Sequence, residues 1–221
     1  MKKRKLMIIC GVVAVVLQIT AICHAVPVFV DTVAADFDSL LGGLAYALDD
    51  EMISDFSGGN LLATIISQSF TDGAGSFLYL YQLKNTGTVD TEVITRFTAS
   101  PYASAGNSIS LGYLTANIPT AFTAGDQAPL YSDVDALSGP TVGFNFSVGN
   151  PFYGIPDSYI VPGESSLVLY VQSNLGPGII VGNIINGGVH TGEVYGPVPE
   201  PATICLLGIG GLLLRRRKST V

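Results

Sequence analysis

Tryptophan is absent from the 221 residues, histidine occurs twice and cysteine three times. Each shortage closes off a class of chemistry. Cys10 and Cys23 fall in an N-terminal apolar segment and Cys205 in a C-terminal one, so the stretch between them can build neither a disulfide framework nor a cysteine-based metal site. Without tryptophan, a carbohydrate platform of the usual aromatic kind is unmarked; Phe152, Tyr153 and Tyr159 lie near the loop prolines Pro151 and Pro156, but core packing accounts for them equally well. Basic residues are scarce where they would matter. Of the 10, Lys2, Lys3, Arg4, Lys5 and Arg215 to Lys218 occupy the two ends, leaving Lys84 and Arg96 against 16 of the 17 acids, so residues 26–197 carry a net charge of −14. That balance excludes nucleic-acid binding, repels anionic lipid, resists aggregation and could attract cations or basic partners.

The ends are where the long apolar runs sit. Lys2-Lys3-Arg4-Lys5 forms a basic start, Leu6 to Ile22 an apolar segment, and Cys23-His24-Ala25 places small residues at the −3 and −1 positions of a secretory cleavage site. Cleavage is expected after Ala25, with an uncleaved signal anchor as the alternative. At the other end come Val198-Pro199-Glu200-Pro201-Ala202-Thr203, an apolar run from Ile204 to Leu214 broken only by glycines, and then Arg215-Arg216-Arg217-Lys218. Pro199 and Pro201 each fix φ and push the preceding residue out of the helical region, so Val198 to Pro201 is expected to be extended, the form a peptide-cleaving site grips. From Pro201 to Leu214 a helix spans roughly 21 Å at about 1.5 Å per residue, short against a hydrocarbon core of roughly 30 Å. The basic cluster acts as a membrane stop on the cytoplasmic side and leaves the bulk of the chain outside.

This tail resembles the PEP-CTERM sorting signal of bacteria that make exopolysaccharide, in motif, glycine-rich helix and basic end, in the same order. The resemblance implies recognition by exosortase, a membrane-embedded cysteine transpeptidase thought to cut at the Pro-Glu-Pro motif. The same tail is also known as an ice-binding-protein C-terminal domain, a label for the tail that implies no ice binding. The expected organisation is a signal peptide over 1–25, an acidic β-sandwich over 26–195, a linker with the sorting motif over 196–203, a transmembrane helix over 204–214 and a basic cytoplasmic tail over 215–221.

Within the domain, Phe37, Leu40, Leu41, Leu44 and Leu48 follow a helical spacing, which favours a short helix packed on a sheet, while Gly42-Gly43 in the middle argues for two short strands or a loop. Asp49-Asp50-Glu51 would then sit at the helix C-terminus, where the macrodipole opposes acids. From Met52 on the signals are β: seven runs, Leu61 to Phe70, Ser76 to Asn85, Glu92 to Ala99, Ser108 to Thr115, Thr141 to Val148, Ser165 to Ser173 and Ile179 to Ile185, are rich in β-branched and aromatic residues. Turn residues separate them, as at Thr71-Asp72-Gly73, Val161-Pro162-Gly163-Glu164 and Asn186-Gly187-Gly188. Phe77 to Leu83 is apolar on both faces, which predicts a central strand. The whole reads as an all-β fold, a single antiparallel β-sandwich. The segments Tyr79 to Gly87 and Pro162 to Tyr170 resemble strand and turn patterns of immunoglobulin-like bacterial surface domains, which implies an immunoglobulin-like sandwich and no activity.

Catalytic residues are not marked. His24 departs with the signal peptide, and His190, in a turn-rich stretch before the linker, has no evident partners for a triad or zinc site, so it reads as a solvated loop histidine. Calcium candidates are Asp36 with Asp38, Asp49-Asp50-Glu51 with Asp55, and Asp133 with Asp135, none in an EF-hand or glycine-rich repeat spacing, and solvated carboxylates are the better reading. No fixed-period threonine array suggests an ice-binding face. The expectation is therefore a secreted envelope or extracellular-matrix protein with a structural or binding ectodomain and no cofactor. Its partners would be exosortase, the translocon and signal peptidase, the membrane, and exopolysaccharide as a candidate ligand. The rival is a secreted carboxylate-dependent hydrolase on the same sandwich, which would need two convergent buried carboxylates.

Overall fold

The computed structural model describes residues 28–30, 32–41, 47–88, 91–102, 109–135, 141–146 and 157–198. Twelve strands and one helical turn are built from them: β1 Val28–Val30, β2 Val33–Asp36, α1 Phe37–Leu40, β3 Ala47–Gly58, β4 Leu61–Thr71, β5 Phe77–Asn85, β6 Arg96–Ser100, β7 Ser110–Ala116, β8 Tyr131–Asp135, β9 Thr141–Asn145, β10 Leu169–Ser173, β11 Pro177–Ile185 and β12 Val189–Pro197. They form two six-stranded sheets, ordered β1-β8-β9-β6-β11-β12 and β2-β7-β10-β5-β4-β3. Neighbours run antiparallel except β2 and β7, which are parallel.

Side chains alternate across a strand, so each sheet needs one apolar face, and both supply it. Ile65, Tyr79, Tyr81, Leu83, Leu169 and Val171 of the second sheet meet Phe97, Val142, Phe144, Ile180, Ile184 and Val194 of the first in one buried cluster. Rings of Tyr81 and Phe97 lie 5.4 Å apart across it. The second sheet is also covered on its outer side, where Phe70, Leu78, Leu80, Val168 and Tyr170 pack with Phe37, Leu40, Leu41, Ile118 and Phe122. That is why β5 is apolar on both faces: it sits between β10 and β4 with a cluster on each side. Its centrality follows the sequence reading.

All seven predicted runs contain a strand, and five further strands, β1, β2, β3, β8 and β12, add to them. Two expectations are corrected. The helix anticipated over Phe37 to Leu48 is a single turn, Phe37–Leu40, capped by the Asp36 carboxylate accepting from the Asp38 amide at 2.8 Å. Leu44 lies outside the described residues, and Leu48 lies in β3, where it is exposed. The macrodipole conflict disappears with the longer helix, because Asp49-Asp50-Glu51 belongs to that strand. Gly196 and Pro197, expected in a linker, are the last two residues of β12 and pair with Gly178 and Pro177.

β3 and β12 are edge strands of opposite sheets, and they close one side of the fold against each other. Glycines make the approach possible. A Cβ on Gly192 would lie 2.6 Å from the Phe56 ring, and one on Gly58 would lie 2.3 Å from Nδ1 of His190. The segments expected to form the signal peptide, 1–25, and the transmembrane helix, 204–214, lie outside the described residues. Among the described residues no helix is long and apolar enough to cross a membrane.

Candidate functional site at the C-terminal end of the fold

The chain leaves the folded body through β12, and Tyr195 is where it is held most firmly. Its amide donates to Ser67 Oγ at 3.2 Å, its carbonyl accepts from the Tyr81 hydroxyl at 2.5 Å, and its own phenol donates to Asp50 Oδ2 at 2.5 Å. Three strands of the other sheet thus grip one residue. The Tyr81 hydroxyl, having given its proton to that carbonyl, accepts from the hydroxyl of Tyr102, and Tyr79 sits edge-on to Tyr102 with ring centroids 6.2 Å apart. Burial pushes the Tyr79, Tyr81 and Tyr102 phenols well above the usual tyrosine range, so they serve as neutral hydrogen-bonding groups. The hydrogen bond from Tyr195 holds the Asp50 carboxyl below its ordinary value, helped by the Glu51 amide, and the same bond raises Tyr195.

Past Tyr195 the strand stays paired with β11 and buried through Pro197. Gly196 faces Gly178 and Pro197 faces Pro177, pairs that lack side chains in the first case and amide donors in the second. Val198 then donates its amide to the Gly176 carbonyl at 2.9 Å, packs partly buried against the main core, and fills the space beside Gly178, whose Cβ would come within 2.4 Å of Val198 Cγ2. Val198 is the one sorting-motif residue described. Pro199, Glu200, Pro201, Ala202 and Thr203, the stop residues Arg215, Arg216, Arg217 and Lys218, and the cleavage residues Cys23 and Ala25 lie outside the described residues.

The remaining candidates are placed as follows. Asp133 is buried and engaged: Arg96 reaches it through both guanidinium nitrogens, at 2.6 and 2.7 Å, and Asn145 donates to it at 2.8 Å. The guanidinium crosses β9 above Gly143, where a Cβ would lie 2.4 Å from Arg96 Nη2 and 2.5 Å from Asp133 Oδ1. Asp133, a calcium candidate by sequence, is thus an ion-pair partner, and its only sequence signal is an isolated arginine in an acidic domain. Asp36 and Asp38 share the Asn117 side-chain amide, at 2.8 to 3.1 Å, on the surface. Along β3, Asp50 serves Tyr195, Glu51 accepts from Gln68, and Asp55 accepts from Thr64, so strand alternation spreads the cluster instead of converging it. Among the described residues no group of three or more His, Cys, Asp or Glu could hold a metal.

His190 is not in a loop. It is half-buried on β12, stacked over Gly58, with Nε2 3.1 Å from Asn186 Oδ1. Of the three aromatics near the loop prolines, Tyr159 is half-buried, and Phe152 and Tyr153 lie outside the described residues. The two strand-and-turn motifs meet: the Asn85 amide donates to the Glu164 carbonyl at 3.0 Å, the Gly163 amide to the Asn85 carbonyl at 2.9 Å, and buried Asn85 Nδ2 to the carbonyls of Glu92 and Ile160.

Residues 197–218 match the PEP-CTERM protein-sorting motif. The match starts on the last residue of β12. Such a motif implies export, processing by exosortase and delivery to the envelope or cell surface. No curated protein and no solved structure matches the chain.

Proposed function

We propose that this is an exported envelope or extracellular-matrix protein whose acidic two-sheet domain has a structural or binding role, delivered by its tail. After signal peptidase and the translocon have acted, residues 204–214 hold it briefly in the membrane, and exosortase cuts at Pro199-Glu200-Pro201 and releases the domain to the surface. One observation carries this reading: the sorting motif follows directly on β12, the last described strand of the fold. An immunoglobulin-like sandwich of the bacterial surface kind is the proposed class of the domain, supported by the junction of Asn85 with Gly163 and Glu164, where the two motifs of that resemblance lock together.

A binding or structural role is favoured over a carboxylate-dependent hydrolase by the distribution of acids. Among the acids whose side chains are described, the one buried carboxylate, Asp133, is neutralised by Arg96, and the others face solvent wholly or in part. Exopolysaccharide is the proposed surrounding ligand. Replacing Pro199, Glu200 and Pro201 by alanine is expected to leave the chain in the membrane fraction of its native cells. Unchanged release would contradict the reading.

A further inference from the structure

Residues 186–188 turn the chain from β11 into β12, and the side chain at the head of that turn is held by groups of opposite character. Asn186 Nδ2 donates to Oε2 of Glu92, while Oδ1 accepts from the Gly188 amide at 3.1 Å and stands 3.1 Å from Nε2 of His190. The first two partners fix which way the side-chain amide faces, because a carboxylate only accepts and a backbone N–H only donates. Nε2 of His190 therefore carries a proton and donates as well. Two donors converge on one carbonyl oxygen, the arrangement that stabilises negative charge there when the carbonyl carbon is attacked.

The attacking group is supplied by the next residue. Among the asparagines of the sequence, Asn186 alone precedes a glycine. Gly187 is exposed, with φ at +107° and open space where a side chain would lie, so no Cβ hinders approach to its nitrogen. The root of the turn is fixed. The Ile185 carbonyl accepts from the amide and the hydroxyl of Thr95 at 3.0 and 2.7 Å, and the Asn186 amide donates to the Gly188 carbonyl at 3.2 Å.

We propose that the fold promotes its own modification at Asn186, deamidation through a cyclic imide to aspartate and isoaspartate. The Gly187 nitrogen gives its proton to solvent and bonds to Asn186 Cγ, and the carbonyl electron pair moves onto Oδ1, where the Gly188 and His190 donors meet it. Return of that pair expels Nδ2, which leaves as ammonia with a proton taken from water. A water molecule then opens the ring at either carbonyl. Breaking the new C–N bond gives aspartate, and breaking the original peptide C–N bond gives isoaspartate. Either product sets a carboxylate in place of the amide that now donates to Glu92, and so loosens the hairpin between β11 and β12. The site is separate from delivery and does not depend on the proposed sorting.

The protein recovered from its native cells is incubated at neutral pH, folded or in urea, and the peptide spanning residue 186 is followed by mass, which rises by about one unit per event. Conversion is expected to run on the order of tenfold faster in the folded protein, a modest return for two converging donors. An equal or slower folded rate would overturn the proposal. Equal conversion at Asn183, which precedes Ile184 in the same hairpin, would also overturn it, since no glycine amide stands there. His190→Phe keeps a ring over Gly58 and removes the donor. Conversion should then slow several-fold. A histidine that merely braces the turn would give the opposite result, faster conversion in a loosened hairpin, and that outcome or an unchanged rate would remove His190 from the reaction.

Discussion

Arg96 and Tyr195 each hold a carboxylate, Asp133 and Asp50, and they differ in what surrounds them. Asp133 is 3% exposed, so its charge is tolerable only with Arg96 and Asn145 attached. Arg96→Met leaves that carboxylate buried and unpaired and is expected to cost about 3 kcal/mol in a denaturant melt, the low end for a broken buried pair because the guanidinium is partly exposed. Adding Asp133→Leu to it should recover most of the loss. The Asp50 to Tyr195 bond is exposed and contributes through pH instead. Asp50 is depressed in the folded state, so its contribution is present above the ordinary carboxyl value of 3.8 and fades as pH falls through the lower folded value. Tyr195 is raised, so its contribution is complete below the ordinary phenol value of 10.0 and fades as pH climbs through the higher folded value. The melting difference between the parent and Tyr195→Phe should therefore be flat across neutral pH and shrink at both extremes. A difference that grows toward low pH would reverse the sign of the argument.

Among the elements, the edge strands decide both what was legible and what is fragile. β4 and β5 could be read directly, because Leu61, Ala63 and Ile65 alternate with exposed or half-buried neighbours and Phe77 to Leu83 is apolar throughout. β3 and β12 could not. An edge strand keeps one face in water, so Asp49, Asp50, Glu51 and Asp55 are tolerated in β3, while Gly192 and Gly196 give β12 its close approach to Phe56 and Ile180, and neither stretch shows a strand's usual composition. Their order comes from registers eleven pairs long with β4 and nine with β11, a long-range fact absent from local sequence. The strand-and-turn motifs around Asn85 and Gly163 were visible separately, and their meeting was not. The two edges should respond unequally to substitution. Gly192→Ala drives a methyl into the Phe56 ring, which is 1% exposed and has nowhere to move, and should cost about 1–3 kcal/mol as overpacking. Gly58→Ala meets the His190 ring, whose half-exposed side chain can turn outward, and should cost less. Thermal melts giving the reverse order would mean that β3 and β12 do not close on each other as described.

At the scale of the whole molecule, the charge and the core serve separate ends. Sixteen acids against two bases keep residues 26–197 repelling one another and their anionic surroundings, while the fold depends on two apolar clusters and no crosslink. The tail carries the addressing, and it was the most legible part of the chain because its information is local: prolines, an apolar run and four basic residues in order. What the fold adds is the root of that tail, Tyr195 to Val198, where a strand of the domain runs straight into the sorting motif. The measurement that bears most directly on this account is the intact mass of the protein recovered from the surface or medium of its native cells. The account predicts a chain that begins at Val26, ends near Pro199-Glu200-Pro201 and lacks Arg215 to Val221. A mature pool that retains Arg215, Arg216, Arg217 and Lys218 would contradict it.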